Sequence, residues 1–156
     1  MKAMFILENV PLSVHSTMRL GGNARFATEI NTRKDISEAA TWAKERSLPI
    51  ITIGSGSNII WSDDGFNGLV LINKFSGVEI FEEDAENIYV SAGAGEIWDD
   101  LVEQAVKRGL SGIEQLSLIP GTVGATPVQN VGAYGREIKD VLTTIEAFDL
   151  QTQNFV

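Results

Sequence analysis

The chain has no cysteine and a single histidine, His15. The first absence excludes a disulfide scaffold, thiolate zinc sites, iron–sulfur clusters and cysteine nucleophiles. The second leaves little material for an imidazole metal centre or a histidine-dependent triad. Basic residues are scarce as well: 12 Lys and Arg stand against 21 Asp and Glu, for a formal net charge of −9. That balance argues against nucleic acid or an anionic membrane surface as partner. No apolar run approaches the ~20 residues that span a bilayer. The opening segment Met1–Glu8 has too short an apolar stretch for a signal peptide, and no small-residue cleavage site follows it. The expectation is a cytoplasmic protein. At 156 residues, 44% of them hydrophobic, it is long enough to bury a real core as one domain or two small lobes.

Glycine is what the chain has in excess. Its 15 glycines are close to one residue in ten, against about 7% in average proteins. Most fall in tight pairs: Gly21/Gly22, Gly54/Gly56, Gly93/Gly95, Gly121/Gly124 and Gly132/Gly135. Each pair lies beside an apolar run, which points to backbone that must come close to something.

Periodicity supplies the elements. Arg25–Ile30 reads as a strand. Thr32-Arg33-Lys34-Asp35 reads as a capping box, and Ile36, Ala39, Ala40 and Ala43 place one narrow apolar face on the helix that follows. Pro49–Ile53 is a β-branched run expected to form a buried strand, interrupted by Gly54–Asn58 and resumed at Ile59-Ile60-Trp61. Leu69–Ile72 is a further strand. Val78–Phe81 and Ile88–Ala92 read as strands joined by the acidic turn Glu82–Asn87. Glu96–Arg108 reads as a second helix, with Trp98, Leu101, Val102 and Ala105 on one face and Gly109 as its C-cap. Leu110–Gly135 sustains no period, and a run of that length without regular structure is usually functional. Val141–Phe148 alternates like a strand, and Asp149–Asn154 reads as a hairpin turn. The sequence stops at Phe155-Val156 with the returning strand barely begun, so the expectation is a piece of a longer protein.

Two segments carry chemistry. Gly54-Ser55-Gly56-Ser57-Asn58 lacks the lysine of a Walker A loop and the third glycine of a dinucleotide fingerprint, and no helix opens after it. In a tight strand–loop–strand turn its amides would form a concave anion nest, assisted by the Ser55 and Ser57 hydroxyls. In that way a chain of charge −9 can still bind a pyrophosphate, through amide dipoles instead of side-chain cations. The same pentapeptide also reads as a ligand-free Ser/Gly turn. The second segment comprises Ile119–Ala125 and Gln129–Gly135. It is apolar, yet too rich in Gly and Pro for helix or strand, and buried irregular backbone needs polar partners. A flat heterocycle would supply them; so would an irregular plug between lobes. His15 reads as a surface residue, and Trp42, Trp61 and Trp98 as core. Glu82, Glu83, Asp84 and Glu86 read as a solvated turn, and Asp99-Asp100 as a solvated helix face. No catalytic or metal-ligating set emerges.

Taken in order, Ser16–Ala24, Gly54–Asn58, Ala92–Glu96 and the long block Leu118–Gly135 resemble the UDP-N-acetylenolpyruvoylglucosamine reductases (MurB), flavoenzymes of peptidoglycan synthesis. The resemblance runs from about Val14 to Val156. It implies an α+β fold: a two-lobed FAD-binding domain of the vanillyl-alcohol-oxidase (PCMH) type, truncated, with lobe 1 over 1–72 and lobe 2 over 73–156. The resemblance also implies that the substrate-binding domain is absent from this stretch. By the same analogy Gly54, Ser55, Gly56, Ser57 and Asn58 hold the pyrophosphate. Ile119, Pro120, Gly121, Gly124, Ala125, Gln129, Asn130, Gly132, Ala133 and Gly135 line the flavin and adenine side, and Tyr134 sits at the edge of the UDP-sugar substrate. In such enzymes NADPH reduces a flavin, which reduces the enolpyruvyl group to give UDP-N-acetylmuramate. The family's catalytic arginine, serine and glutamate lie past the point matching Val156, so the chain alone is expected to be inactive. With no Cys and only His15, the FAD is expected to be non-covalent. The alternatives are an oxidase of the same fold acting on alcohols or sugars, and a non-enzymatic binding domain.

Overall fold

The apolar run Leu69–Ile72 becomes the buried centre of a four-stranded sheet in the computed structural model, which describes residues 5–82 and 84–156. The strands are β1 (Leu7–Pro11), β2 (Asn23–Ile30), β3 (Ile50–Ile53) and β4 (Phe66–Asn73), in the order β1-β2-β4-β3. β1 pairs antiparallel to β2, while β2 and β3 both run parallel to β4. Successive residues of a strand face opposite sides, and both sides of β4 are covered. Val70 and Ile72 join Leu12, Ala24, Ala27, Ile53 and Trp61 in one core. Leu69 and Leu71 join Ile30, Ala39 and Ala43 in another, on the side of helix α1 (Arg33–Glu45). A strand buried on both faces has no polar face to show, hence its unbroken apolar sequence.

The capping box forms as expected: Asp35 N–H donates to the Thr32 hydroxyl at 3.1 Å, and Thr32 N–H donates to the Asp35 carboxylate at 2.9 Å. The link from β3 to β4 does not follow expectation. Ile59-Ile60-Trp61 forms no strand; residues 54–65 are irregular throughout. A tight strand–loop–strand turn would make its strands antiparallel neighbours, whereas β3 and β4 are parallel and need a crossover. The apolar residues of the link serve that crossover. Trp61 is buried and Ile59 half-buried against the sheet. β3 is also less buried than expected, with Thr52 exposed at the sheet edge.

The chain divides into two units, one of 1–74 with 145–156 and one of 75–144. The last segment therefore groups with the first unit and not, as the lobe boundary 73–156 has it, with the second. Arg33 explains the grouping: its Nε–H and Nη2–H donate to Glu146 at 2.9 and 2.7 Å, and its guanidinium lies 5.8 Å from the Phe155 ring centroid. Strands β9 (Phe148–Asp149) and β10 (Asn154–Phe155) form the expected hairpin. Ala147 and Val156 exchange backbone hydrogen bonds at 2.9 and 2.8 Å, so the returning strand is paired through Val156. Residues 142–146 form no strand despite their alternation; alternation without a neighbouring strand leaves the ladder unmade.

In the second unit, β5 (Val78–Glu82) and β6 (Ile88–Ala92) pair antiparallel, and helix α2 (Trp98–Lys107) packs Trp98, Leu101 and Val102 with Leu116 and Ile138. Gly109 ends α2 at φ +73°; its N–H donates to Val106 C=O and that of Leu110 to Ala105 C=O, the Schellman pattern. In the acidic turn, Glu86 and Asn87 N–H groups donate to Asp84 Oδ1 at 2.7 Å and hold its carboxyl below the usual range. Glu83 lies outside the described residues. Among the described residues no helix is long and apolar enough to cross a membrane.

Candidate functional site

The Gly54–Asn58 loop begins where β3 ends. Gly56 is buried at φ +72°, and a Cβ there would stand 2.0 Å from the His15 carbonyl oxygen. The loop is thus sewn to the segment after β1: Thr17 N–H donates to Gly56 C=O at 3.1 Å, and Gly22 N–H to Ser62 C=O at 3.0 Å. The close approach foreseen for this glycine is to the protein's own backbone. Ser55 is exposed, and its hydroxyl stands 3.4 Å from that of Ser57. Farther along the link, the Trp61 indole N–H is buried without an acceptor. A buried donor left unmade is costly, so the link holds a polar group suited to an oxygen-bearing ligand.

In the second unit, residues 116–124 hang from the start of α2. Trp98 Nε1–H donates to Leu116 C=O at 2.7 Å, and Trp98 N–H to Gly121 C=O at 3.1 Å. Val123 N–H donates to Glu96 C=O and Gly124 N–H to Ala94 C=O, both at 2.9 Å. A Cβ on Gly124 would lie 2.6 Å from that of Ala94. Asp99 is half-buried and its Oδ1 accepts from Leu118 N–H at 2.6 Å. The bond is solvent-accessible, so Asp99 keeps its place on a solvated helix face and in addition holds a loop amide; an acid in the first turn of a helix was the signal. Asp100 is exposed.

Ile119, Gln129, Asn130, Gly132, Ala133 and Gly135 meet around a concave region of about 840 Å³, together with Val131, Arg136, Glu137, Lys139 and Asp140. Pro120, Gly121, Gly124 and Ala125 do not line it. A volume of that order accommodates a drug- or cofactor-sized group. The charged residues were missed because the sequence reading followed the glycines. The Lys139 ammonium donates to the Glu137 carboxylate, as does the Asn130 side chain; the two hold Glu137 below its usual range, and the same pairing holds Lys139 above its own.

Strands β7 (Gly132–Ala133) and β8 (Arg136–Glu137) close on the two-residue turn Tyr134-Gly135, with φ of +52° and +81°. Positive φ at both central residues is the turn that matches strand twist, so Gly135 answers first to the hairpin. Tyr134 at its tip is 90% exposed. Trp61 and Trp98 are buried core residues, Trp42 is half-buried, and His15 is half-buried. No group of His, Asp and Glu suited to a metal occurs among the described residues.

Each unit offers groups of a kind that a flavin nucleotide takes. In the first, the exposed Ser55 hydroxyl and the unpartnered Trp61 indole N–H are donors for phosphate or carbonyl oxygens. In the second, the concave region presents the backbone of Ile119, Gln129 and Asn130 beside the β7–β8 hairpin.

A family model described as an FAD binding domain matches residues 25–152. A UDP-N-acetylenolpyruvoylglucosamine reductase of Ralstonia nicotianae is 46% identical over 149 residues, covering 94% of this chain and 43% of the relative. One from Pseudomonas aeruginosa is 43% identical over 144 residues, covering 92% and 42%. Among solved structures, the UDP-N-acetylenolpyruvylglucosamine reductase of Thermus caldophilus matches with a TM-score of 0.74 at 25% identity, over 99% of this chain and 51% of its own. A VAO-type flavoprotein of Myceliophthora thermophila shares the fold, with a TM-score of 0.64 at 18% identity, over 96% of this chain and 31% of its own. The chain spans less than half the length of the curated relatives it matches.

Proposed function

The chain belongs to the FAD binding domain family, and on that premise we propose that it is the flavin-holding part of a reductase of cytoplasmic peptidoglycan synthesis. The whole protein would reduce UDP-N-acetylglucosamine enolpyruvate to UDP-N-acetylmuramate with NADPH. One observation carries the reading: the 46% identity to the Ralstonia reductase extends over 94% of the chain and so includes both candidate segments.

FAD, when bound, supplies hydride transfer between NADPH and the enolpyruvyl double bond. The part of this chain is to hold and orient. Gly54–Asn58 would take the pyrophosphate, with Ser55 and Ser57 hydroxyls adding to amide dipoles where the chain has few cations to spare. Ile119, Gln129, Asn130, Gly132, Ala133 and Gly135 would line the rings from the concave region, and Pro120, Gly121, Gly124 and Ala125 would meet the cofactor outside it. Tyr134 would meet the UDP-sugar. No residue here is given a catalytic role, so the chain by itself is expected to turn nothing over. The flavin would be non-covalent.

A chimera tests the activity: this chain replaces the aligned segment of the Ralstonia reductase and is loaded with FAD. NADPH consumption dependent on the enolpyruvyl substrate is the expected result. A flavin-loaded chimera that reduces nothing, or that oxidises alcohols or sugars with oxygen instead, contradicts the proposal.

A further inference from the structure

Leu118 has a backbone that its own side chain does not explain. It sits at φ +61°, a region bulky residues avoid, and is 83% exposed, so packing does not hold it there. Such a conformation persists only where the surroundings over-determine it. Its N–H donates to Asp99 Oδ1 at 2.6 Å, and the neighbouring bonds to Leu116 C=O and Gly121 C=O come from Trp98. Of these contacts the one to Asp99 has the charged acceptor, and hydrogen bonds to ionised groups are about twice as strong as neutral ones. Asp99 is itself fixed on the first turn of α2, where a carboxylate suits the helix dipole.

We infer that Asp99 is a positioning residue for the cofactor: by holding Leu118 left-handed it sets the path of Ile119, Pro120 and Gly121. This rests on the flavin reading of that segment. Asp99 touches no reacting group; it acts through the backbone it holds. Asp100 carries the same charge on the same turn but is exposed, which makes it the control.

The test titrates the full chain with FAD by fluorescence quenching and follows Leu118 amide exchange by NMR in the same samples. Asp99→Ala is expected to weaken FAD binding about tenfold, the loss of one hydrogen bond to a charged group, and to abolish the slow exchange of Leu118. Asp99→Asn, which keeps an acceptor oxygen, is expected to bind within about threefold of wild type, and Asp100→Ala to match it. If Asp99→Ala does not fold, Asp99→Leu, similar in shape without an acceptor, carries the same expectation. The inference is overturned by wild-type affinity in the Ala or Leu variant, by lost stability with unchanged affinity, or by an unprotected Leu118 amide in the wild-type chain. A wild-type chain that takes up no FAD sinks the cofactor reading itself. Leu118 exchange then still shows whether Asp99 holds the loop, so the two failures are told apart.

Discussion

Gly56 and His15 are in backbone contact: a methyl added to Gly56 would stand 2.0 Å from the His15 carbonyl oxygen, with Gly56 at φ +72°. A glycine in the loop assigned to the cofactor is thus first a requirement of the fold. Gly56→Ala combines a left-handed backbone with an overlap that only a shift of the chain can relieve. Thermal unfolding of the flavin-free chain should show a loss of about 2–4 kcal/mol. Wild-type stability would mean that the two segments are not in contact.

Ser55 predicts the opposite pattern. It is exposed and its hydroxyl makes a long contact, 3.4 Å, to Ser57. Ser55→Ala should leave stability within about 0.5 kcal/mol of wild type. FAD affinity should fall by roughly 3- to 10-fold, the value of one hydrogen bond. Unchanged affinity would remove Ser55 from the site.

Trp61 separates the empty state from the loaded one. Its indole N–H is buried without an acceptor, so removing it alone removes a penalty. Replacing Trp61 by the isosteric benzothienylalanine should leave the flavin-free chain as stable or up to about 1–2 kcal/mol more so. If the donor serves the cofactor, FAD binding weakens in the same protein. Destabilisation of the flavin-free chain would show instead that the N–H already has a partner.

Local signals carried much of the fold. The Thr32–Asp35 capping box, the Gly109 C-cap and the unbroken apolar run of β4 each depend on residues within a turn or a strand of one another. What eluded the sequence depends on partners far along it. Ile59-Ile60-Trp61 has strand composition, but β3 and β4 are parallel, which made it a crossover. Residues 142–146 alternate without a strand to pair with. At the site, the glycine pairs located the irregular segments, yet Gly56, Gly124 and Gly135 answer to His15, Ala94 and a hairpin turn. Asp99 was hidden because its partner, Leu118, lies 19 residues away.

The Glu137–Lys139 pair fixes a pH dependence. Glu137 is held below its ordinary value of 4.5 in the folded chain, so the unfolded chain takes up this proton first as pH falls. Its contribution is present above 4.5 and is lost as pH falls through the lowered value. Lys139 is held above 10.5, so its contribution is full below 10.5 and is lost as pH rises through the raised value. The stability difference between wild type and Glu137→Gln should therefore be greatest between these limits and shrink on both sides. A difference constant across pH would show that the pair does not form.

Co-elution measures most directly the proposed holding of FAD by this chain without a covalent bond. The chain is refolded with excess FAD, passed through gel filtration and then precipitated with acid. The expected result is yellow protein that releases all of its flavin to the supernatant. Protein that elutes colourless, or flavin that stays in the acid pellet, would contradict it.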